Sequence, residues 1–357
     1  AERYETLEWP AAIRVLSEAI AAHPQGVEML FGLTDDHLYD LATEAAQVAG
    51  LPQPLRWGVL GAFDGQRTLA QAAGLSFSQG RIPYFDLAEA DFILSFGANF
   101  LETWLSPLTY SRAYGQMRRG QEGRRGYWVA FEPRQSLTSA NADEWIAIVP
   151  GSEGLLAQAL ARLAAEQLGA PVPAGLETLD TAAAAAACGV LLEKLIELSR
   201  RFVAAQHPLA IAGGGMAGHV AGRQAVQAAL TLNALAGNLG AAGGVWMSAA
   251  EPTCASLQEL QGLVQRMKAG QVQVLLVHGV NPVFELPAAL GFEQALENVP
   301  LVISFASFPD ETALRSDYIL PDHVGLESWG YQRYLPGADR TALTAFQPVV
   351  TPLYDTR

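Results

Sequence analysis

The stretch DFILSFGAN, residues 91–99, runs a short apolar segment straight into Gly97-Ala98-Asn99. The same arrangement returns as VQVLLVHGVN, residues 272–281, which ends in Gly279-Val280-Asn281. The two copies continue alike. After the first come a helical stretch, the run YWVAFEPR (127–134) and ADEWIAIVPG (142–151), a short strand ending at Pro150-Gly151. After the second come a helical stretch, the run PLVISFAS (300–307) and SDYILPDHVG (316–325), a strand ending at Pro321. Short apolar runs alternating with helices mark βαβ units on a buried parallel sheet.

The intervening helices read clearly. Ile13, Leu16 and Ile20 share one face, as do Leu156, Leu160 and Leu163. Pro10 and Ser152 stand at first-turn and N-cap positions. Further strands are expected at VEMLFGL (27–33) and LRWGVLG (55–61), ahead of the first copy, and at PLAIAGG (208–214), ahead of the second. The fold class expected is α/β: two doubly wound, mainly parallel-sheet domains related by an internal pseudo-repeat. Residues 1–180 would form the first, with its turn at 97–99. Residues 181–357 would form the second, with its turn at 279–281 and a C-terminal extended tail. The joint is expected near the alanine-rich segment 171–190.

Composition narrows the function. A net charge of −14, with two lysines against twenty arginines, argues against a nucleic-acid partner, whose phosphates need clustered cations. Only 16% of residues are charged, so much surface is expected to be covered by the fold or by partners. The longest uncharged stretch, residues 224–250, holds polar side chains and four glycines, so no direct membrane span is expected. No basic segment followed by an apolar one opens the chain, so no export signal is expected in it. Cys188 and Cys254, each in an apolar setting, are expected as buried thiols. Two cysteines cannot hold an iron–sulfur cluster of the usual four ligands.

Within PLAIAGGGMAGH (208–219), Gly213, Gly215 and Gly218 fit G-x-G-x-x-G. A dinucleotide turn needs an acid about twenty residues on, at the end of the next strand. Residues 216–250 contain no Asp or Glu, and a long helical pattern comes next instead. The turn is therefore expected to serve close strand-to-helix packing. P-loop, H-E-x-x-H and G-x-S-x-G patterns are absent. Asp322 and His323, adjacent on a strand, would point apart, so His323 is expected to bond backbone. The basic stretch MRRGQEGRRG (117–126) is expected to be a solvated loop.

The strand-end turns carry more promise, because open α/β sheets bind ligands beyond the carboxyl ends of their strands. Asn99 and Asn281 each offer a donor and an acceptor. Glu132 could accept from ribose hydroxyls, and Ser152 with its helix amides could receive a polar group.

Taken in order, ADFILSFGANFLET, FEPRQSLTSANADEWIAIVPGSEGLLAQAL, PLAIAGGGMAGHVAGRQAVQAALTLNALAGNLGAAGGV, HGVNP and DETALRSDYILPDHVGLESWG resemble the molybdopterin oxidoreductase family of the dimethyl sulfoxide reductase type. In that family two central α/β domains, related by a pseudo-twofold, grip the guanosine ends of two pterin cofactors. The chain departs from the family pattern in several places. The family's first domain, which often carries cysteine ligands for a [4Fe–4S] cluster, has no counterpart here. No segment offers the Ser, Cys or selenocysteine that ligates molybdenum, and the last domain would follow Arg357. Where the family has Asp-Pro-Arg and Gly-Thr-Asp, this chain has Glu132-Pro133-Arg134 and Gly151-Ser152-Glu153, each carboxylate one methylene longer.

HGVNPVFELPAALGF, ISFASFPDETALRSDYILPDHVGLESWG and QPVVTPLYDTR most resemble the molybdopterin-oxidoreductase-like part of the large iron–sulfur subunit of alternative complex III. That resemblance implies a non-catalytic scaffold in a membrane-associated, quinol-oxidising electron-transfer complex, peripheral on the periplasmic side of a bacterial inner membrane. It implies no catalytic residue, metal ligand or cofactor in this chain. Iron–sulfur clusters and c-type haems would sit in partners: an iron–sulfur domain or subunit, an integral membrane quinol-binding subunit and a multihaem cytochrome c subunit. The alternative is the central core of an active molybdopterin oxidoreductase. There Asn99, Glu132, Ser152, Glu153 and Asn281 would line the channel for molybdopterin guanine dinucleotide with molybdenum. A thiamine diphosphate enzyme would also suit PLAIAGGG, but its G-D-G magnesium motif is absent.

Overall fold

The computed structural model describes residues 4–32, 34–58, 62–77, 80–119, 125–219, 221–248, 254–334 and 337–357. Its strands, numbered in chain order, are β1 Val27–Phe31, β2 Leu55–Arg56, β3 Pro83–Phe85, β4 Phe92–Phe96, β5 Tyr127–Glu132, β6 Glu144–Ala147, β7 Pro208–Ala212, β8 Val245–Met247, β9 Val274–His278, β10 Leu301–Ser304, β11 Tyr318–Ile319, β12 Gly330–Tyr334 and β13 Ala342–Phe346, the last two pairing with each other apart from the main sheets.

Two sheets result. One has the order β6-β5-β4-β7 and the other β11-β10-β9-β1-β2. Every pairing within them is parallel. All five residues of β1, β4 and β7 are buried, which is why these segments read as apolar runs interrupted only by Glu28 and Ser95. A separate antiparallel ribbon pairs β3 with β8.

The pseudo-repeat is present in three dimensions. β4, β5 and β6 neighbour one another as β9, β10 and β11 do, and β7 lies beside β4 as β1 lies beside β9. That last correspondence corrects the domain boundary expected at residue 180. β1 pairs with β9 from Val27↔Val274 to Phe31↔His278, so the segments ahead of the first copy complete the second copy's sheet. β7, expected ahead of the second copy, pairs with β4 and completes the first.

The compact units are accordingly discontinuous. A terminal unit comprises Ala1–Val59, Thr253–Arg333 and Leu343–Arg357, and an inserted unit comprises Leu60–Pro252 and Tyr334–Ala342. The alanine-rich segment is no linker. Asp180 caps helix Thr181–Cys188 by accepting from the Ala182 and Ala183 amides, and Ala184, Ala185 and Cys188 enter the inserted unit's core.

In the terminal unit successive residues of β1 serve opposite faces. Leu30 packs with Leu275, Val277 and Val302 against helix Leu257–Lys268, which opens on a Ser256–Glu259 capping box. Val27, Met29 and Phe31 pack with Ala46 of helix Asp36–Ala49 on the other side. Helices on both faces of a parallel sheet make the unit doubly wound, as expected. In the inserted unit Phe96 and Phe131 stack at 5.1 Å between centroids, and Trp128 meets Phe100 at 4.8 Å. Helix Glu153–Leu168 approaches helix Gly222–Leu235 closely at Gly154, where an added Cβ would lie 3.0 Å from that of Ala225. β6 closes one edge. Its side chains alternate between half-buried and exposed, and Glu144 pairs with Lys194 at 2.9 Å.

Pro10 sits in the first turn of helix Trp9–Ala22, as its position predicts. Ser152 precedes helix Glu153–Leu168 but does not cap it, because its hydroxyl donates back to the Val149 carbonyl at 2.6 Å. Of the basic stretch 117–126, residues 120–124 lie outside the described residues. Both cysteines are buried and, among the described residues, neither forms a disulfide. No helix of the described residues is long and apolar enough to cross a membrane.

Candidate functional site

The chain leaves β4 and β9 through matching left-handed glycines, Gly97 at φ +64° and Gly279 at φ +65°. The match continues in hydrogen bonds. The Leu101 amide, two residues past Asn99, donates to Thr138 Oγ1 at 3.2 Å; the Val283 amide, two past Asn281, donates to Thr312 Oγ1 at 3.1 Å. Both threonines are fully buried. Five residues further on, Asp143 accepts from the Trp128 amide and Asp317 from the Val302 amide, each at 2.8 Å. Each threonine thus ties down its turn, and each aspartate ties the following strand to its neighbour. The Thr-x-x-x-x-Asp spacing at 138–143 and 312–317 was available in the sequence as a signal of this repeat.

The two turns differ in where the threonine proton goes. Thr138 donates to Glu102 at 3.0 Å, whereas Thr312 donates to the Asn281 side-chain oxygen at 2.7 Å. Asn281 Nδ2 donates in turn to Glu311 at 2.6 Å, a bond that helps hold the Glu311 carboxyl below its usual range. The Asn281 amide thus has a partner at each end. Asn99 donates once, to Thr103 at 3.0 Å, and borders a cavity of ≈ 500 Å³ lined also by Gly65, Gln66, Trp104, Gly214 and His219.

The glycine cluster after β7 packs against this first turn. Gly214 is left-handed at φ +64°, and a Cβ there would stand 2.3 Å from the Gly97 carbonyl oxygen and 2.7 Å from Asn99 Oδ1. A Cβ on Gly213 would meet the Trp104 indole at 2.4 Å. The cluster is a close-packing turn, as its lack of a following acid predicts.

At the same carboxyl edge lie Glu132, ending β5, and Ser152 with Glu153, following β6. Both carboxylates are buried. Glu132 Oε2 accepts from the Ser136 amide at 3.3 Å, but Glu132 Oε1 and Glu153 Oε2 are buried acceptors that meet no donor among the described residues. A buried carboxylate oxygen without a donor costs free energy, so it marks a place where a donor would be welcome. Behind them the Cys188 thiol faces the Ser152 carbonyl at 3.6 Å, and burial, together with the Glu153 charge, pushes its pKa up.

The inserted unit therefore brings Asn99, Glu132, Ser152 and Glu153 to one sheet edge, while Asn281 stands at the corresponding edge of the terminal unit. Sequence reading missed the partners that close the second turn, Glu311 and Thr312, and also His278. His278 Nε2 meets Asp322 at 2.8 Å, and Asp322 accepts from Ser307 at 2.8 Å. Burial opposes ionisation of Asp322, but these two bonds outweigh it and hold its carboxyl below its usual value. His323 points elsewhere, as expected, but its partner is the Thr356 hydroxyl at 2.7 Å rather than backbone. A side-chain partner 33 residues on leaves no local trace in sequence.

The sequence profile of the family described as Molybdopterin oxidoreductase matches residues 24–357, so the chain belongs to that family. It is 29% identical over 307 residues to the menaquinone reductase, molybdopterin-binding-like subunit of Nitratidesulfovibrio vulgaris, covering 81% of this chain and 44% of that protein. It is 23% identical over 312 residues to a nitrate reductase of Shewanella frigidimarina, covering 71% of this chain and 33% of that one. Among solved structures, acetylene hydratase from Pelobacter acetylenicus shares the fold, with a TM-score of 0.76 at 15% identity over 100% of this chain and 57% of that one. The chain spans less than half the length of these two curated relatives.

Proposed function

We propose that this chain is the molybdopterin-oxidoreductase-like part of a subunit in a membrane-associated, quinone-linked electron-transfer complex of the alternative complex III type, and that it serves there as architecture without catalysing. The similarity to a menaquinone reductase subunit supports the setting. The observation that carries the scaffold reading is the closed second turn. The two strand-end asparagines would, on this reading, serve a cofactor only if their amides were available, and the Asn281 amide already meets Glu311 and Thr312. On this reading the complex sits on the periplasmic side of a bacterial inner membrane. Its quinol-binding, iron–sulfur and multihaem cytochrome c parts lie in partner domains or subunits.

A second reading has an observation of its own. Glu132 Oε1 and Glu153 Oε2, both buried without donors, fit the amino, imino or hydroxyl donors of a guanosine. In an active molybdopterin oxidoreductase, Asn99, Glu132, Ser152 and Glu153 would hold one nucleotide end of molybdopterin guanine dinucleotide, while Asn281 would have to exchange partners to hold the other. When bound, that cofactor supplies two-electron redox chemistry at its metal.

Elemental analysis of the purified native assembly for molybdenum and tungsten, with a fluorescence assay for oxidised pterin on the same sample, separates the two. The scaffold reading expects neither metal nor pterin in stoichiometric amount. Metal with pterin near one per assembly, assigned to this subunit after dissociation, would overturn it and put Glu132 and Glu153 at the centre of a working site.

A further inference from the structure

Outside the strand-end turns, the β3–β8 ribbon of the inserted unit sets Tyr84 directly across from Trp246. The two rings line a cavity of ≈ 490 Å³ together with Asp86, Glu89, Asp339 and Met247. The carboxylates come from separate segments. Asp86 follows β3 and is oriented by the Gly243 amide, which donates to its Oδ2 at 2.9 Å. Asp339 stands on a turn whose Gly337, left-handed at φ +67°, is seated so closely that a Cβ would meet Leu105 at 2.7 Å and the Tyr110 hydroxyl at 2.9 Å. Trp246 is 43% exposed, so the pocket opens to solvent.

Aromatic faces beside carboxylates attract a flat cation. This fold already uses that recognition internally. Arg118 lies over Tyr114 at 5.1 Å and pairs with Asp143; Arg56 lies over Tyr39 at 5.2 Å and pairs with Asp36 at 3.1 Å. Tyr84, Trp246, Asp86 and Asp339 supply the same groups at an open pocket, where the exposed Arg340 is the neighbour of Asp339 at 3.4 Å and would give way to a stacked guanidinium. Burial and the charges of Asp86 and Asp339 push the Tyr84 hydroxyl well above its usual range, as a negative local potential requires. The chain as a whole is complementary to a basic surface, with a net charge of −14.

We infer that this pocket is a docking site for an arginine side chain carried by a partner protein. Arginine suits it better than lysine, because a planar guanidinium can stack on Tyr84 or Trp246 while its edge reaches a carboxylate. A partner suits it better than a free small cation. At so open a site a free cation keeps most of its water, whereas a side chain arrives with a surrounding surface that excludes it. The inference does not depend on whether the chain binds a pterin.

The test uses the full chain and blocked peptides as the partner's stand-in: acetyl-Gly-Gly-Arg-Gly-Gly-amide and its citrulline counterpart, isosteric but uncharged. Binding is read from the indole N–H resonance of Trp246, assigned by Trp246→Phe. The arginine peptide is expected to give a saturable shift, with affinity falling roughly tenfold or more for citrulline and similarly for Asp86→Asn/Asp339→Asn. Unchanged resonances elsewhere certify that the double variant folds; the single exchange Asp339→Asn, at an exposed position, serves if it does not. No shift with the arginine peptide, an equal shift with citrulline, or affinity indifferent to the carboxylates would overturn the inference. So would tetramethylammonium binding as tightly as the peptide, which would make the pocket a small-cation site.

Discussion

The turns at 97–99 and 279–281 share backbone, left-handed glycine, tethering threonine and bridging aspartate, yet they offer different chemistry. Side chains at a few neighbouring positions account for it. Glu102 takes the Thr138 proton and leaves the Asn99 carbonyl oxygen facing Gly214, whereas Asn281 takes the Thr312 proton and Glu311 the remaining amide. Even the strand residues before the glycines diverge. Phe96 stacks on Phe131, while His278 is pinned by Asp322. A repeated backbone therefore does not imply a repeated site: among the described residues, the buried carboxylate oxygens that meet no donor are those of Glu132 and Glu153, in the inserted unit.

The largest effects are expected where glycine permits a close approach. Gly214→Ala would force a Cβ onto the Gly97 carbonyl oxygen, and Gly32→Ala would place one 1.8 Å from that of Gly279. Left-handed strain in the first and backbone overlap in both predict losses of about 3 kcal/mol or more in denaturant unfolding. Gly279→Ala, whose Cβ would meet nothing nearer than 4.0 Å, should cost only the left-handed strain, about 1–2 kcal/mol. Equal losses for Gly214→Ala and Gly279→Ala would mean that the first turn is not packed as described.

Next come the tethers. Thr138→Val and Thr312→Val each strand a buried amide and the hydroxyl's acceptor, so each should cost about 1–3 kcal/mol. A markedly smaller loss at Thr138 would show that only the second turn is held rigidly.

A gain is expected at Glu153→Met. Exchanging a buried carboxylate whose Oε2 meets no donor among the described residues for an apolar side chain of similar volume should raise stability by up to about 1 kcal/mol in the unliganded chain. A clear loss would show that the charge has a partner within the fold.

The smallest effect is at His278–Asp322. Because the Asp322 carboxyl is held below its ordinary 3.8, its contribution is fully present above that value and disappears as pH falls through the depressed one. Unfolding midpoints followed from pH 6 down to pH 2 should show an acid loss in the wild type that is reduced in Asp322→Asn. Parallel curves would remove the pinning of His278 from the comparison.

Much of the fold was legible because it is local. Buried parallel strands such as FILSF and VLLVH are apolar but for Ser95 and the terminal His278, and helix faces recur at their own period. What could not be read is which sheet a strand joins, since β1 finds β9 across some 240 residues and nothing in VEMLF distinguishes that partner from β4. At the candidate site, residue types and their strand-end positions were visible in Asn99, Glu132 and Glu153. Whether an asparagine is free was not, because that depends on a carboxylate and a hydroxyl about thirty positions away.

The insertion has a consequence for how the protein is made. β1 and β2 leave the ribosome early, but β9, the other neighbour of β1, emerges roughly two hundred residues later, on the order of ten to forty seconds at 5–20 residues per second. Through that interval the whole four-stranded inserted sheet can form, while the apolar β1 has only the two-residue β2 to pair with. The terminal unit is therefore the late and vulnerable one during synthesis, and nascent chains halted after Pro252 should engage holding chaperones through residues 27–56.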